Sequence, residues 1–435
     1  MQYRLGAGGQ LQRRRKQLVR WLAGLAALAV LVLTAGGLQA SPTTSLRLYW
    51  EWDQLRGATR DFLFRSSDTL PRAASQPAVA TPAVSEAAAR ASYEEAAATP
   101  QAAAASSAPT AQPSPTPIIY NVISPPAAFK ISGFQHEFET PNNCGPATLA
   151  ILLRYWKWKG DQEKIAAVLK PQIRDRNVRW DELVQYVRTH AGWLNSLFRV
   201  GGSYETLQLF VANGYPLIIE TGYELDVGWV GHYLLVTGYD ANAQTVIVQD
   251  VTGGPNRTMQ IAAVDKLWQQ FNRLYIVVYP VADAGKIAQL LGPDADLDSN
   301  RARALEQAAA DRTADTANAF AWFTHGSNLN YFERYTEAAA DFDKARELGL
   351  PWRMLFYQFG PYAAYFNVGR YQDVIDLSTA TLNARPELEE SYVWRGWAWY
   401  MLGKRTQAIT DFRAALAINP NFTDAQNALG ILGVK

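Results

Sequence analysis

Thiols are almost missing from this chain: its 435 residues contain one cysteine, Cys144. That excludes an internal disulfide framework and any multi-thiolate metal site. Histidine is scarce as well, with four residues, His136, His190, His232 and His325. Neither sign of charge is in excess. There are 41 Lys and Arg against 40 Asp and Glu, a net of +1, so no chain-wide electrostatic case exists for a nucleic-acid partner. No phosphate-binding glycine loop, GxSxG elbow or HExxH helix occurs, and no residue pattern calls for a cofactor. Apolar residues, by contrast, make up 48% of the chain and aromatic residues 12%, enough for sizeable cores. The length suggests two or three domains.

The N-terminus reads as a targeting signal. Residues 1–20 hold the basic cluster Arg13, Arg14, Arg15, Lys16 and Arg20, and residues 21–40 carry no charge. Such a run is about the ~20 residues a bilayer-spanning helix needs. The basic flank predicts an N-terminus in the cytoplasm and the remainder outside, held to the membrane by this helix. Cleavage after "LQA" at Ala40 is the other reading, and it would make the protein secreted. Residues 41–70 mix aromatic residues with both charges and suggest a juxtamembrane helix or a plain surface helix. Residues 71–118 are mostly Ala, Pro, Ser and Thr, a composition expected of a disordered linker.

Residues 119–282 read as α+β. Apolar periodicity predicts a helix from Gly145 to Trp158, then shorter ones at 161–169 and 180–190. Four strand-like runs follow: "PLIIETG", "HYLLVTGYD", "QTVIVQD" and "RLYIVVYP". "YDANAQ" reads as the turn of a hairpin joining the middle two. Helices followed by antiparallel strands point away from a Rossmann arrangement. Residues 283–318 suggest a helical connector. Residues 319–435 repeat: Gly369 and Gly403 are 34 residues apart, as are Pro386 and Pro420. That period resembles tetratricopeptide helix pairs, and predicts an all-α solenoid. Three repeats are expected, near 319–352, 355–388 and 389–422, with 423–435 as a cap. The first two are offset by two extra residues around "GLPWR". The middle repeat departs from the pattern at Val374, Ser378 and Thr381. The groove of such a stack would hold a peptide or protein partner.

Cys144 begins the first predicted helix. Asn142 or Asn143 can cap it, and Pro146 fits its first turn. A helix N-terminus favours the thiolate, the nucleophilic form of cysteine, and aims backbone N–H groups at a developing oxyanion. A nucleophile there needs a base. His325 lies in the repeats, His190 ends a helix and His136 lies in a loop. His232 opens a strand and is the best placed. Across the predicted hairpin, Asp250 can orient the imidazole; Asp240, at the turn, sits too far along.

"NNCGPATLAILLRYW", "GHYLLVTGYD" and "VQDVTGG", in that order, resemble the bacteriocin-processing, C39-like cysteine peptidases. The resemblance covers roughly residues 130–282. It implies a papain-like fold and a Cys144–His232–Asp250 triad acting on a peptide or protein substrate. The family also places a glutamine five or six residues before the cysteine, as an oxyanion donor. Here Glu139 and Phe138 hold those positions, and Gln135 lies nine before. Asn142, Asn143 or Gln135 could substitute. Losing the donor would leave a weak enzyme or an inactive peptide-binding scaffold; cell-wall amidase or transpeptidase chemistry through the same triad is a further alternative.

Overall fold

One antiparallel sheet organises residues 120–280. Its strands are β1 (Ala128–Lys130), β2 (Leu194–Arg199), β3 (Leu217–Leu225), β4 (Gly228–Asp240), β5 (Thr245–Asp250), β6 (Gly254–Gln260) and β7 (Tyr275–Pro280), in the order β2-β7-β3-β4-β5-β6 with β1 added on β4. The computed structural model describes residues 69–72, 120–171, 178–225 and 228–434. The basic N-terminus, the apolar run 21–40 and nearly all of 41–118 lie outside these residues. Among the described residues, no helix is long and apolar enough to cross a membrane.

Side-chain alternation along the strands gives the sheet two apolar faces. Ile218, Tyr233, Leu235, Ile276 and Val278 face one core, covered by helices α1 (Cys144–Tyr155), α2 (Gln162–Leu169) and α3 (Trp180–His190). Leu217, Ile219, Leu234, Val236 and Val277 face the other, covered by α4 (Tyr204–Ala212) and α5 (Ile261–Gln269). The four strand-like runs all become strands. β6 escapes a sequence reading because it is polar and mostly exposed.

Every residue of α1 from Gly145 to Leu153 is buried. The helix ends three residues earlier than its apolar pattern. Lys157 turns into the left-handed region (φ 70), while the N–H groups of Lys157 and Trp158 return to the carbonyls of Arg154 and Leu153 at 2.9 and 3.0 Å. This is a Schellman closure, with buried Trp158 as its apolar contact. β3 pairs with β4 along Gly228–Val236, but β5 joins only from Leu235. α1 begins beside the edge so vacated. Thr148 Oγ1 donates to the Tyr233 carbonyl at 3.3 Å.

The stretch expected as a connector forms α6 (Ala284–Leu291) and α7 (Leu297–Ala314). α7 packs on the sheet rather than bridging away from it. Asn300 takes the Val200 N–H at 3.1 Å and returns a bond to its carbonyl at 2.9 Å.

Three helix pairs follow: α8 (Ala319–Tyr331) with α9 (Tyr335–Leu348), α10 (Gly360–Asn367) with α11 (Tyr371–Ala384), and α12 (Glu389–Met401) with α13 (Arg405–Ile418). α14 (Thr423–Ile431) closes the stack. Glu333, Gly369 and Gly403 take positive φ at equivalent turns (57°, 77° and 75°). The middle pair's departures have a packing reason. In the outer pairs a glycine on the first helix meets a phenylalanine on the second, Gly326 with Phe342 and Gly396 with Phe412. At the equivalent positions the middle pair has Tyr362 and Ser378. Large and small have changed sides, which conserves volume, and Tyr362 donates from its hydroxyl to Thr381 at 3.3 Å.

The repeats are joined to the sheet. Trp229 and Phe271 belong to the same buried cluster as Phe323, Phe342 and Tyr362. Asn272 and Asn328 exchange amide bonds at 2.9 and 3.0 Å, and Arg273 meets Asp311 at 2.6 Å.

Residues 69–72 lie at the expected boundary between the juxtamembrane segment and the linker, yet they dock on the first repeat. Leu70 is 3% exposed, its N–H reaches the Leu350 carbonyl at 2.9 Å, and the Pro71 carbonyl accepts from Arg346 Nε at 2.7 Å. Leu70→Ala is expected to destabilise the chain by about 2–5 kcal/mol, the usual cost of emptying a buried leucine site. Urea unfolding of the two chains checks this; equal midpoints would mean that the contact contributes nothing.

Candidate active site

The hairpin expected around "YDANAQ" forms, with Asp240 opposite Thr245 and Leu235 opposite Gln249. Continuing that register puts Asp250 diagonally across from His232, within reach of a long side chain. The contact is made: His232 Nε2 and Asp250 Oδ1 are 2.9 Å apart, both side chains largely buried. With Nε2 engaged, Nδ1 is left for Cys144, which lies close enough to hydrogen-bond the ring. Cys144 is the first residue of α1 and is partly exposed.

Asp250 is held by more than the histidine. Its Oδ1 also accepts the backbone N–H groups of Thr252 (3.0 Å) and Gly253 (2.9 Å), and its Oδ2 pairs with Arg257 Nη1 from β6. Burial alone would raise the carboxyl pKa. The bonds from His232, Gly253 and Thr252, with the histidine's charge, hold it well below the usual carboxylate range. For His232, burial pulls the pKa down. The hydrogen bonds to Asp250 and Cys144, and the charges on both, outweigh burial and raise it to about 10. The Tyr223 ring stands edge-on to the imidazole, 5.8 Å between centroids.

The structure separates the oxyanion candidates. The backbone N–H of Cys144 opens α1, where no earlier turn supplies an acceptor. Asn143 occupies the N-cap position, but its side chain makes no cap bond and instead donates to Thr140 Oγ1 at 2.8 Å. Asn142, in the left-handed region at φ 60, keeps a buried Nδ2 with no hydrogen-bond partner. Gln135 is exposed, and its carbonyl is bound by Arg154 at 2.7 Å. Glu139 is a half-exposed loop residue. Its carboxylate accepts from Thr252 Oγ1 and its N–H reaches the Val251 carbonyl at 3.0 Å, so it braces the turn that follows Asp250.

His136 stays near the site, where its ring interacts with Gln249 and Asp250; the other candidates lie elsewhere. His325 pairs with Asp341 inside the repeats, and His190 stacks on Tyr186 at 4.9 Å. Asp240 caps its own turn, accepting from the N–H groups of Asn242 and Ala243 at 2.9 and 3.0 Å. Trp156 packs on Tyr155 and Tyr215 at the far end of α1, and Trp229 is buried against the repeats. Sequence reasoning missed Arg257. No signal announces it, because β6 is polar and nearly all exposed.

Residues 131–276 match the model of the Peptidase_C39 like family. The chain carries a C39-like domain. A structure described as a C39-like peptidase from Bacillus anthracis is 18% identical, covering 35% of this chain and 97% of its own, with a TM-score of 0.29. The peptidase domain of Streptococcus ComA, a bi-functional ABC transporter involved in a quorum-sensing pathway, is 16% identical over 34% of this chain and 98% of its own, with a TM-score of 0.28. The first TPR of Spaghetti, bound to an HSP90 peptide, is 22% identical over 27% and 93%, with a TM-score of 0.25. No curated protein matches the chain. The C39-like match takes in Cys144, His232 and Asp250.

Two measurements check the electrostatics of this domain. In ¹⁵N imidazole spectra His232 should stay protonated through pH 8 and titrate near 10; Asp250→Asn should bring the midpoint down toward the ordinary 6.5. A parent midpoint near 6.5 would remove the charged pair. Since the folded value is raised, the histidine's contribution to stability is full below about pH 6.5 and fades as pH climbs to about 10. Asp250, being depressed, contributes above its ordinary 3.8 and loses that as pH falls. Gly253→Ala tests the turn. A Cβ there would stand 2.1 Å from Arg257 Nη1 and 2.6 Å from Asp250 Oδ2. The variant should lose the Arg257 pair and, with that cation gone, raise the His232 midpoint; an unmoved midpoint would make Arg257 irrelevant to the histidine.

Proposed function

We propose that the C39-like domain is a cysteine peptidase hydrolysing peptide bonds through Cys144, His232 and Asp250. The observation that carries this reading is the 2.9 Å His232–Asp250 contact, with Cys144 close enough to bond the same imidazole. A nucleophile, base and orienting carboxylate need such neighbours, which supports the reading.

The chemistry follows from the bonds. Asp250 fixes the ring, which carries a proton on each nitrogen when paired with the Cys144 thiolate. The sulfur attacks the amide carbonyl carbon, and the displaced electron pair moves to oxygen. The Cys144 N–H and Asn142 Nδ2 are the donors available to that oxyanion. The Nδ1 proton passes to the amide nitrogen, the C–N bond breaks, and a thioester remains. Nδ1 then takes a proton from water, whose oxygen attacks the thioester, and the acid leaves as the thiolate returns. A non-catalytic scaffold was suggested by Glu139, but that carboxylate is turned to Thr252. The repeats serve as a surface for a peptide or protein partner. The basic cluster at 13–20 ahead of the apolar run 21–40 places the domain outside the cytoplasmic membrane on this reading.

Iodoacetamide alkylation of Cys144 in the full chain, followed against pH, tests the pair. A rate that holds far below the free-thiol pKa of ~8.5, and that falls in His232→Ala, supports it. An ordinary thiol profile unchanged in His232→Ala would end the peptidase reading. Turnover of a mixed peptide library, read by mass spectrometry, should vanish in Cys144→Ala. In Asn142→Ala it should fall about 100- to 1000-fold, the usual cost of one oxyanion donor.

A further inference from the structure

The connection from α9 to α10 spans residues 349–359, whereas only 385–388 separate α11 from α12. The longer connection is not a loose loop. It folds as a short 3-10 helix, Trp352–Phe356, buried throughout. It then lays Tyr357 against β4. The ground is prepared by two glycines facing each other across the β3–β4 ladder, Gly222 and Gly231. A Cβ on Gly231 would stand 3.0 Å from two carbons of the Tyr357 ring and 2.9 Å from Phe271; one on Gly222 would stand 2.2 Å from Gln270 Oε1. Bare backbone is therefore what admits these side chains. Tyr357 is held edge-on to Trp229 and Phe271, at 5.6 and 5.9 Å, and Gln358 Nε2 donates to the Gln270 carbonyl at 2.9 Å.

Gly231 immediately precedes His232. Alternation puts Gly231 on the same side of β4 as Tyr233, about 7 Å along the strand. The Tyr233 ring lies against Gly145, the neighbour of Cys144: a Cβ there would be 3.2 Å from it. So the repeat domain presents a ring on the face of β4 where α1 delivers the thiol. The Tyr357 hydroxyl feels this position: after burial, the charge of Cys144 does most to push its pKa up. Tyr357 itself is partly exposed, although the 3-10 helix before it is not.

We propose that the repeat domain forms one wall of the cleft beside Cys144, and that Tyr357 limits the girth of the group admitted there. The proposal rests on reading Cys144 as the reaction centre. The repeats then take part in substrate selection at the site itself.

The single cysteine allows a direct test on the full chain. Cys144 is alkylated in parallel with iodoacetamide and with the bulky N-pyrenylmaleimide, and the ratio of the two rates is taken. The ratio cancels the thiol's intrinsic reactivity. In the parent chain it should lie well below that of N-acetylcysteinamide. Tyr357→Ala should raise it about ten-fold, the size of effect that relieving an overpacked contact gives. Tyr357→Phe, which keeps the ring, should leave it where it was. Leu70→Ala, which loosens the repeats away from the cleft, should leave it too. An unchanged ratio in Tyr357→Ala overturns the proposal, and so does an equal rise in Leu70→Ala. If Tyr357→Ala does not fold, Tyr357→Leu carries the same comparison, and a parent ratio equal to that of N-acetylcysteinamide overturns the proposal without any variant. An iodoacetamide rate indifferent to His232→Ala sinks the peptidase reading alone, because the ratio still reports the wall.

Discussion

The carboxylate of Asp250 accepts from four donors: one imidazole, two backbone N–H groups and one guanidinium. They come from three steps of the chain's path. The hairpin β4–β5 brings the imidazole. The turn after β5 folds its own N–H groups back, and β6 supplies Arg257 on its return. Buried charge is tolerated only when so satisfied, and in that state it fixes its neighbours strongly. His232 can point one nitrogen at Cys144 because the other has nowhere else to go. Glu139 extends the chain of dependence outward, since it grips Thr252 in the same turn.

Much of this was written in local order. The cysteine at a helix start, the histidine on a strand and the aspartate two strand-ends away could be named because turn chemistry fixes a hairpin's register. The 34-residue period was equally readable. What could not be read lies at long range. Arg257 sits in a polar strand with no apolar alternation to announce it. The choice between Asn142 and Asn143 depends on which amide finds Thr140. Tyr357 meets Gly231 across more than a hundred residues of sequence, and a glycine kept for close approach looks like any other. The apparent degeneracy of the middle repeat had the same origin: Tyr362 and Ser378 make sense only as a pair.

The repeats also alter how the sheet is finished. Trp229 on β4 and Phe271 in the turn before β7 are large apolar groups that the sheet's own helices leave uncovered. They are buried by the first two helix pairs instead. The amide exchange between Asn272 and Asn328 and the Arg273–Asp311 pair surround that apolar contact with polar ones. Sheet and solenoid therefore share a core, and the orientation of one is fixed by the other.

The docking of residues 69–72 gives the Ala- and Pro-rich stretch downstream a different meaning. A contact of four residues is too small to persist between separate molecules at cellular dilution. Residues 73–119 join it covalently to residue 120, and an intramolecular connection of that kind supplies an effective concentration on the order of millimolar. The stretch thus acts as a concentrator, returning Leu70 to its site each time it leaves. A single proteolytic cut within 73–119 would turn that return into a dilute bimolecular encounter. The Leu70 contact would then hold only as tightly as its own few residues allow.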